Sequence, residues 1–322
     1  MEKILNIVNG DACIDIMKEA GIKGEFLPWR DFLHEGPVPE GFTLQQLSKI
    51  RANFIINLGF GEFKQVHQDF QERDKKLESY KLYDKIILWF EHDLYDQLQL
   101  IQILSWFEKQ NLANVELTLI CTNNYLGESS MQQILKLLHY ETKILTEHLL
   151  LAKVAWAAFC EPSPLAWFNL LKKETGLLPF LQGAIFRMLE EYPNTKNGLS
   201  RTEYQALLII SNGIQDTVDI FTKCQSFEER KFMGDIIFFK ILDDFYTYKI
   251  IERNSKRKEI HITTLGKKLL EGETNWLNIK KLDRYIGGVH LDSDNLWCWD
   301  MQKKTLKHYY YSKALNALLV VK

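Results

Sequence analysis

The residues best suited to chemistry stand together in Trp89-Phe-Glu-His-Asp-Leu-Tyr-Asp-Gln97. Glu91, His92 and Asp93 follow a continuous apolar run, and Asp96 comes three residues later. Carboxylates that converge without partners repel and raise one another's pKa. Such a set persists when a divalent cation, a cationic substrate or an arginine neutralises it. An all-oxygen donor set suits magnesium, and His92 would also admit manganese or zinc. Asp93 has a plainer reading as the N-cap of the next helix. That reading leaves Glu91 and Asp96 unexplained.

Elements must bring further groups to the same place. In an open parallel sheet, ligands bind outside the carboxyl ends of the strands. The residues following the expected strands are Asn9-Gly10-Asp11, Trp29-Arg30-Asp31, Glu91-His92-Asp93 and Thr122-Asn123-Asn124. The loop after Asp31 adds His34 and Glu35 before Gly36-Pro37. We therefore expect Asp11, Glu91 and Asp93 to hold magnesium or manganese, with His92 or His34 transferring protons. Asn9, Gly10, Arg30, Asp31, Glu35, Arg51, Asp96 and Asn123 are expected to bind substrate, Arg30 and Arg51 neutralising its negative charge. Gly10 is expected to let the backbone turn tightly. Gly10-Asp11 also resembles the Gly-Asp-Ser nucleophile block of lipase-like hydrolases. Ala12 stands at the serine position, however, and no Asp-x-x-His pair lies near the C-terminus.

The surrounding pattern alternates strand and helix. Ile4–Val8, Glu25–Trp29, Lys85–Phe90 and Val115–Cys121 read as strands, with Thr142–Leu145 as a fifth. Ile14–Ala20, Phe42–Leu58, Gln65–Lys81 and Leu94–Phe107 read as helices. The run over 65–81 is so polar that an exposed helix is expected. Alternation predicts an α/β domain over 1–146, with a parallel, Rossmann-like sheet covered by helices. Val8, Ile87, Trp89, Leu100 and Leu104 are its expected core. No G-x-G-x-x-G follows the first strand, so no nicotinamide or flavin signature is present, and no lysine-bearing phosphate loop occurs.

Beyond about residue 147 the pattern turns helical. A helical connector is expected over 147–193 and a mainly helical C-terminal domain over 194–322. Ser200 with Glu203 forms a capping box for Arg201–Ser211. Helices near 216–231 and 235–250, then strand pieces flanking Arg253–Lys258, give the order of a winged-helix-like unit. Its third helix carries Asp243 and Asp244 and many aromatics, unlike a helix that enters the major groove. Only Arg253, Lys256, Arg257 and Lys258 are suitably basic, so nucleic acid is a weakly supported partner. Trp297-Cys-Trp299 and Tyr309-Tyr-Tyr311 read as strand core.

The net charge of −2 excludes a strongly basic nucleic-acid coat protein. From Leu199 onward there are 20 basic and 16 acidic residues, which leaves the preceding part acidic. The five cysteines lack zinc-ligand or redox spacing, and no apolar stretch is long enough for a membrane span or signal peptide. A cytoplasmic location is expected.

Asn9-Gly10-Asp11, Trp29-Arg30-Asp31 with Leu33-His-Glu-Gly-Pro37, Arg51 and Leu88–Leu98 together resemble the bacterial family catalogued as domain of unknown function 1835. Gly198-Leu-Ser-Arg-Thr-Glu203, Phe232-Met-Gly-Asp235, Thr264-Leu-Gly266, Tyr285-Ile-Gly-Gly-Val-His290 and Trp297-Cys-Trp-Asp300 resemble the C-terminal half found in the same proteins. The resemblance implies this architecture rather than an activity. It also implies that serine is frequent at the position of Ala12, which argues against an obligatory serine nucleophile here. The residues point to a metal-dependent enzyme acting on a phosphorylated or nucleotide-like small molecule. The alternative is a ligand-sensing regulator that binds DNA or a protein through the winged-helix-like domain.

Overall fold

The computed structural model describes residues 2–254, 259–312 and 317–320. The elements run β1 (Ile4–Val8), α1 (Ile14–Glu19), β2 (Glu25–Pro28), β3 (Gly36–Pro37), α2 (Leu44–Asn57), α3 (Phe63–Glu78), β4 (Lys85–Glu91), α4 (Leu94–Phe107), β5 (Glu116–Thr122), α5 (Met131–Leu137) and β6 (Thr142–Lys143). Next come α6 (Thr146–Cys160), α7 (Leu165–Asn169), α8 (Leu181–Leu189), α9 (Arg201–Ser211), α10 (Thr217–Gln225) and α11 (Asp235–Thr247). The chain ends with β7 (Ile251–Arg253), β8 (Ile260–Ile262), α12 (Thr264–Glu271), α13 (Trp276–Ile279), β9 (Arg284–Gly287), β10 (Val289–Leu291), β11 (Leu296–Asp300), β12 (Thr305–Ser312) and β13 (Ala317–Val320). The chain divides into two compact units, one of residues 1–185 with 285–289 and one of residues 186–284 with 290–322.

The first unit is mixed α/β. Its five-stranded sheet has the order β2-β1-β4-β5-β6, parallel except for the short edge strand β6. After β1 the chain moves to β2 on one side, and after β4 it moves to β5 on the other. The direction of winding therefore reverses between β1 and β4, where a ligand crevice opens in sheets of this kind. The register sets Val8 beside Trp89, so β4 runs two residues past the end of β1 and carries Glu91 beyond it.

Both faces of the sheet are apolar, as parallel strands require. Val8, Ile87, Trp89 and Ile120 pack with Cys13 and Met17, next to or within α1, and with Ile134 and Leu137 of α5. Leu5, Ile7, Ile86, Leu88 and Phe90 alternate to the other face and are equally buried. Helix α4 is buried along almost its whole length and packs against α6. The stretch expected as a connector thus supplies α6 and α7 to the first unit. Helix α3 differs from the exposed helix that its polarity predicts. Phe70, Arg73, Asp74 and Leu77 line a buried stripe, with the Arg73 guanidinium bonded to Asp74 and Ser48.

Two glycines permit close approaches. Gly36 has φ +85°, and a Cβ there would lie 2.3 Å from the Phe54 ring. A Cβ on Gly288 would lie 1.8 Å from the Cys160 carbonyl oxygen. The far-downstream segment 285–289 can therefore lie against the end of α6, and residues 286–287 pair in parallel with β3.

The second unit opens with the helices α9, α10 and α11, followed by the antiparallel pair β7–β8. Ser200 and Glu203 form the expected capping box. Lys256, Arg257 and Lys258 lie outside the described residues, while Arg253 stacks on Tyr246 and faces Asp243. Trp297 and Trp299 are buried in β11, which pairs with β12. Among the described residues no helix is long and apolar enough to cross a membrane.

Candidate metal centre at the strand ends

The buried strand β4 delivers Glu91 to the sheet edge, and the chain turns through His92 and Asp93 into α4. Asp93 is the N-cap of α4, its Oδ1 accepting from the Asp96 backbone N–H at 3.2 Å. Three residues on, Asp96 folds back over the turn. Its Oδ2 accepts from the Glu91 N–H at 2.5 Å, and its Oδ1 accepts from the Asn9 amide at 2.8 Å. Glu91 Oε1 accepts from the Leu126 N–H at 2.7 Å, and the Asn9 amide also bonds this carboxylate. The ends of β1, β4 and β5 are thereby tied to one another, at the point where the winding reverses.

Glu91, Asp93 and Asp96 each offer an oxygen within 4.8 Å of the others, and all three are buried. Among the described residues, none of them forms an ion pair with a lysine or arginine. Burial, against two N–H bonds that favour its charge, pushes the Glu91 carboxyl up to about 7. Burial and the Glu91 charge push Asp93 up to about 7 as well. Burial, then Asp93 and Glu91, push Asp96 upward too. Both Asp96 oxygens accept N–H donors, which favours its charged form against that rise. This concentration of buried, unneutralised oxygen donors could hold a hard divalent cation.

The other expected residues fall into separate settings. Asp11 lies outside the triad. It is largely exposed and makes a bidentate pair with Arg30, both contacts at 2.6 Å. Asp96, expected to bind substrate, occupies the third position instead. Asp31 does not join the group either, because it is buried against Arg51 at 2.9 Å. The Arg51 guanidinium also donates to the carbonyls of Phe32, Glu35 and Pro37. Arg51 therefore pins the 31–37 loop from inside rather than facing a ligand. His34 is buried with its ring near Phe32 and Tyr95. The His92 ring packs between Tyr125 and Phe180, at 5.2 and 5.8 Å. Asn123 is exposed beyond β5. Gly10 has no positive φ, and a Cβ there would meet nothing within 4 Å, so the tight-turn role does not hold. The residue in a left-handed conformation is Arg30, with φ +52°.

Sequence reasoning missed two contributors, the Leu126 N–H and the buried Gln97. The Gln97 amide donates to the Glu91 carbonyl at 2.7 Å and sits near the Cys121 sulfur at 3.5 Å. The 93–96 spacing already signalled the position of Asp96, because residues i and i+3 share a helix face. Burial and the neighbouring acids push the Cys13 thiol up to about 12. In comparisons with known proteins, neither a family model nor a curated protein matches this chain.

Proposed function

We propose that Glu91, Asp93 and Asp96 hold a magnesium or manganese ion in an enzyme that acts on a small phosphorylated or nucleotide-like molecule. The observation that carries this reading is the buried triad of carboxylates, which has no cationic partner among the described residues. Isolated buried charge is costly, and a cation relieves that cost directly. Hard oxygen donors suit magnesium and manganese. The fold supports the same place, because the triad sits where winding reverses between β1 and β4. When bound, such an ion neutralises and polarises a phosphoryl oxygen.

The chain's own residues complete the site. Asn9 and the Leu126 N–H orient the Asp96 and Glu91 carboxylates. Arg30, held by Asp11 at the exposed rim, offers positive charge to an incoming anion. His92, next to two of the ligands, is the candidate proton carrier. We read the first unit as Rossmann-like and the chain as a cytoplasmic member of the resembled family. We read α9–α11 with β7–β8 as a winged-helix-like unit that packs rather than reads DNA. The accessible positions of α11 include Asp235, Lys240 and Asp243, a poor match to phosphate.

Thermal midpoints test the reading. Manganese in millimolar excess is expected to raise the midpoint of the wild type above its value in EDTA. An ion at 100 times its Kd adds about 2.7 kcal/mol. Asp93→Asn caps a helix about as well as Asp, so it should fold normally and lose the manganese response. Equal midpoints for the wild type with EDTA and with manganese would sink the proposal.

A further inference from the structure

A pocket of about 480 Å³ opens between the edge strand β2 and helix α3. That volume lies in the range of small-ligand sites, roughly 300–1,000 Å³. Its floor is the Arg73 guanidinium, sandwiched between the rings of Trp29 at 4.1 Å and Phe70 at 4.5 Å. Half-buried rings of Phe26 and Phe60 form accessible apolar walls. Arg30 and Asp69 stand at the rim.

The charges narrow the ligand. Every cation lining the pocket already has its own carboxylate, Arg30 with Asp11, Arg73 with Asp74 and Lys76 with Glu25. A bare anion would have to compete with those partners. Two further carboxylates, Asp69 and Glu72, line the pocket, so its residual charge is acidic and favours groups that donate hydrogen bonds. Arg30 gives Nε and Nη2 to Asp11, and among the described residues its Nη1 donates to no protein acceptor. Asp69 accepts only from the exposed Gln65 amide and forms no ion pair among the described residues. The pocket thus offers one donor group, the carboxylates of Asp69 and Glu72 as acceptors, and flat apolar or guanidinium faces.

We propose that this pocket binds the planar nitrogenous ring of a nucleoside-type ligand. Such a ring is flat, uncharged and carries both donors and acceptors on its edge. It can stack on the rings and bond Arg30 Nη1 and Asp69. Asn9 links the pocket's Arg30 to the triad, since the Arg30 N–H donates to the Asn9 carbonyl and the Asn9 side chain bonds Asp96. The assignment rests on the reading of the triad as a phosphate-directed metal site and names the other end of the same substrate.

Titration calorimetry of the full chain tests it, with adenosine, guanosine, cytidine and uridine as probes, first in EDTA. At least one nucleoside should bind in EDTA. Phe60→Ala should weaken it about tenfold, as loss of one stacking partner does. Asp69→Asn, a surface change that preserves shape, should weaken it too and alter the preference among the four bases. No heat from any nucleoside at millimolar concentration, with or without manganese, overturns the assignment. Binding that neither variant weakens, or that inorganic phosphate displaces, overturns it as well. Manganese binding without nucleoside binding defeats this inference alone. Nucleoside binding without a manganese response defeats the metal reading and leaves the pocket standing.

Discussion

Asp96 accepts an N–H from Asn9 with one oxygen and an N–H from Glu91 with the other. An amide at this position must turn its own NH2 group onto one of those donors. Asp96→Asn should therefore cost about 1–3 kcal/mol in a urea titration, unlike Asp93→Asn. A stability equal to that of the wild type would mean that repulsion within the triad outweighs both hydrogen bonds. The raised carboxyls also set the sign of the pH dependence. Glu91 and Asp93 rise from ordinary values of 4.5 and 3.8 to about 7 in the folded chain. Between those values the folded state binds more protons than the unfolded one. The contribution of these two carboxyls to stability is thus fully present below about pH 4 and is lost as pH rises through about 7, by on the order of 3 kcal/mol for Glu91 alone. Midpoints of the first unit in EDTA at pH 5 and pH 8 should differ in that direction. The rise produced by manganese should be larger at pH 8, because the ion no longer displaces protons. A manganese effect independent of pH would contradict titration at the triad.

Helix α4 is the element that couples the site to the core. Three of its buried glutamines bond outward to the chain around the site, Gln97 to the Glu91 carbonyl, Gln99 to the Asp31 carbonyl and Gln102 to the Trp29 indole. Its apolar side chains, including Leu98, Leu100 and Leu104, are fully buried. The helix can hold both polar and apolar groups inside because each of these amides satisfies a backbone or ring partner. Leu104→Ala should cost about 2–5 kcal/mol by denaturant titration. Leu104 lies far from the helix N-terminus, so the manganese response should survive in the folded fraction. A cost near zero would mean that α4 does not seal the sheet.

The two units carry opposite electrostatic signatures. The first holds three buried carboxylates that, among the described residues, have no lysine or arginine partner. The second buries Arg187 with Glu191 and Glu228, and Arg284 also reaches Glu191. Although burial alone would raise it, these arginines hold the Glu191 carboxyl down at about 2. Its stabilising contribution is present above the ordinary value of 4.5 and is lost as pH falls toward 2. The net charge of −2 and the acidic positions of α11 leave little drive toward phosphate. The whole chain should therefore bind duplex DNA only weakly, with binding that vanishes as salt is raised. Tight, sequence-selective binding in a shift assay at physiological salt would favour a regulator instead.

The strands and main helices of the first unit were legible in the sequence, because burial on two faces writes continuous apolar runs such as Ile86–Phe90. The caps at Asp93 and Ser200 were legible too, since a cap needs only a side chain three residues from its donor. Glu91 and Asp93 as neighbours at a strand end followed from the same local pattern. Partner choice did not. Asp31 and Arg51 read as ligand groups until the loop closed on them, and Asp11 read as a metal ligand until Arg30 took it. The buried stripe of α3 was hidden because Arg73 and Asp74 neutralise each other there. Residues 285–289 joined the first unit only because Gly287 and Gly288 admit the end of α6. Asn9 and Asp96 lie 87 residues apart and meet because β1 and β4 are sheet neighbours. Local spacing fixes which groups reach a sheet edge, whereas strand order and burial decide which of them find a counter-charge and which are buried together without one.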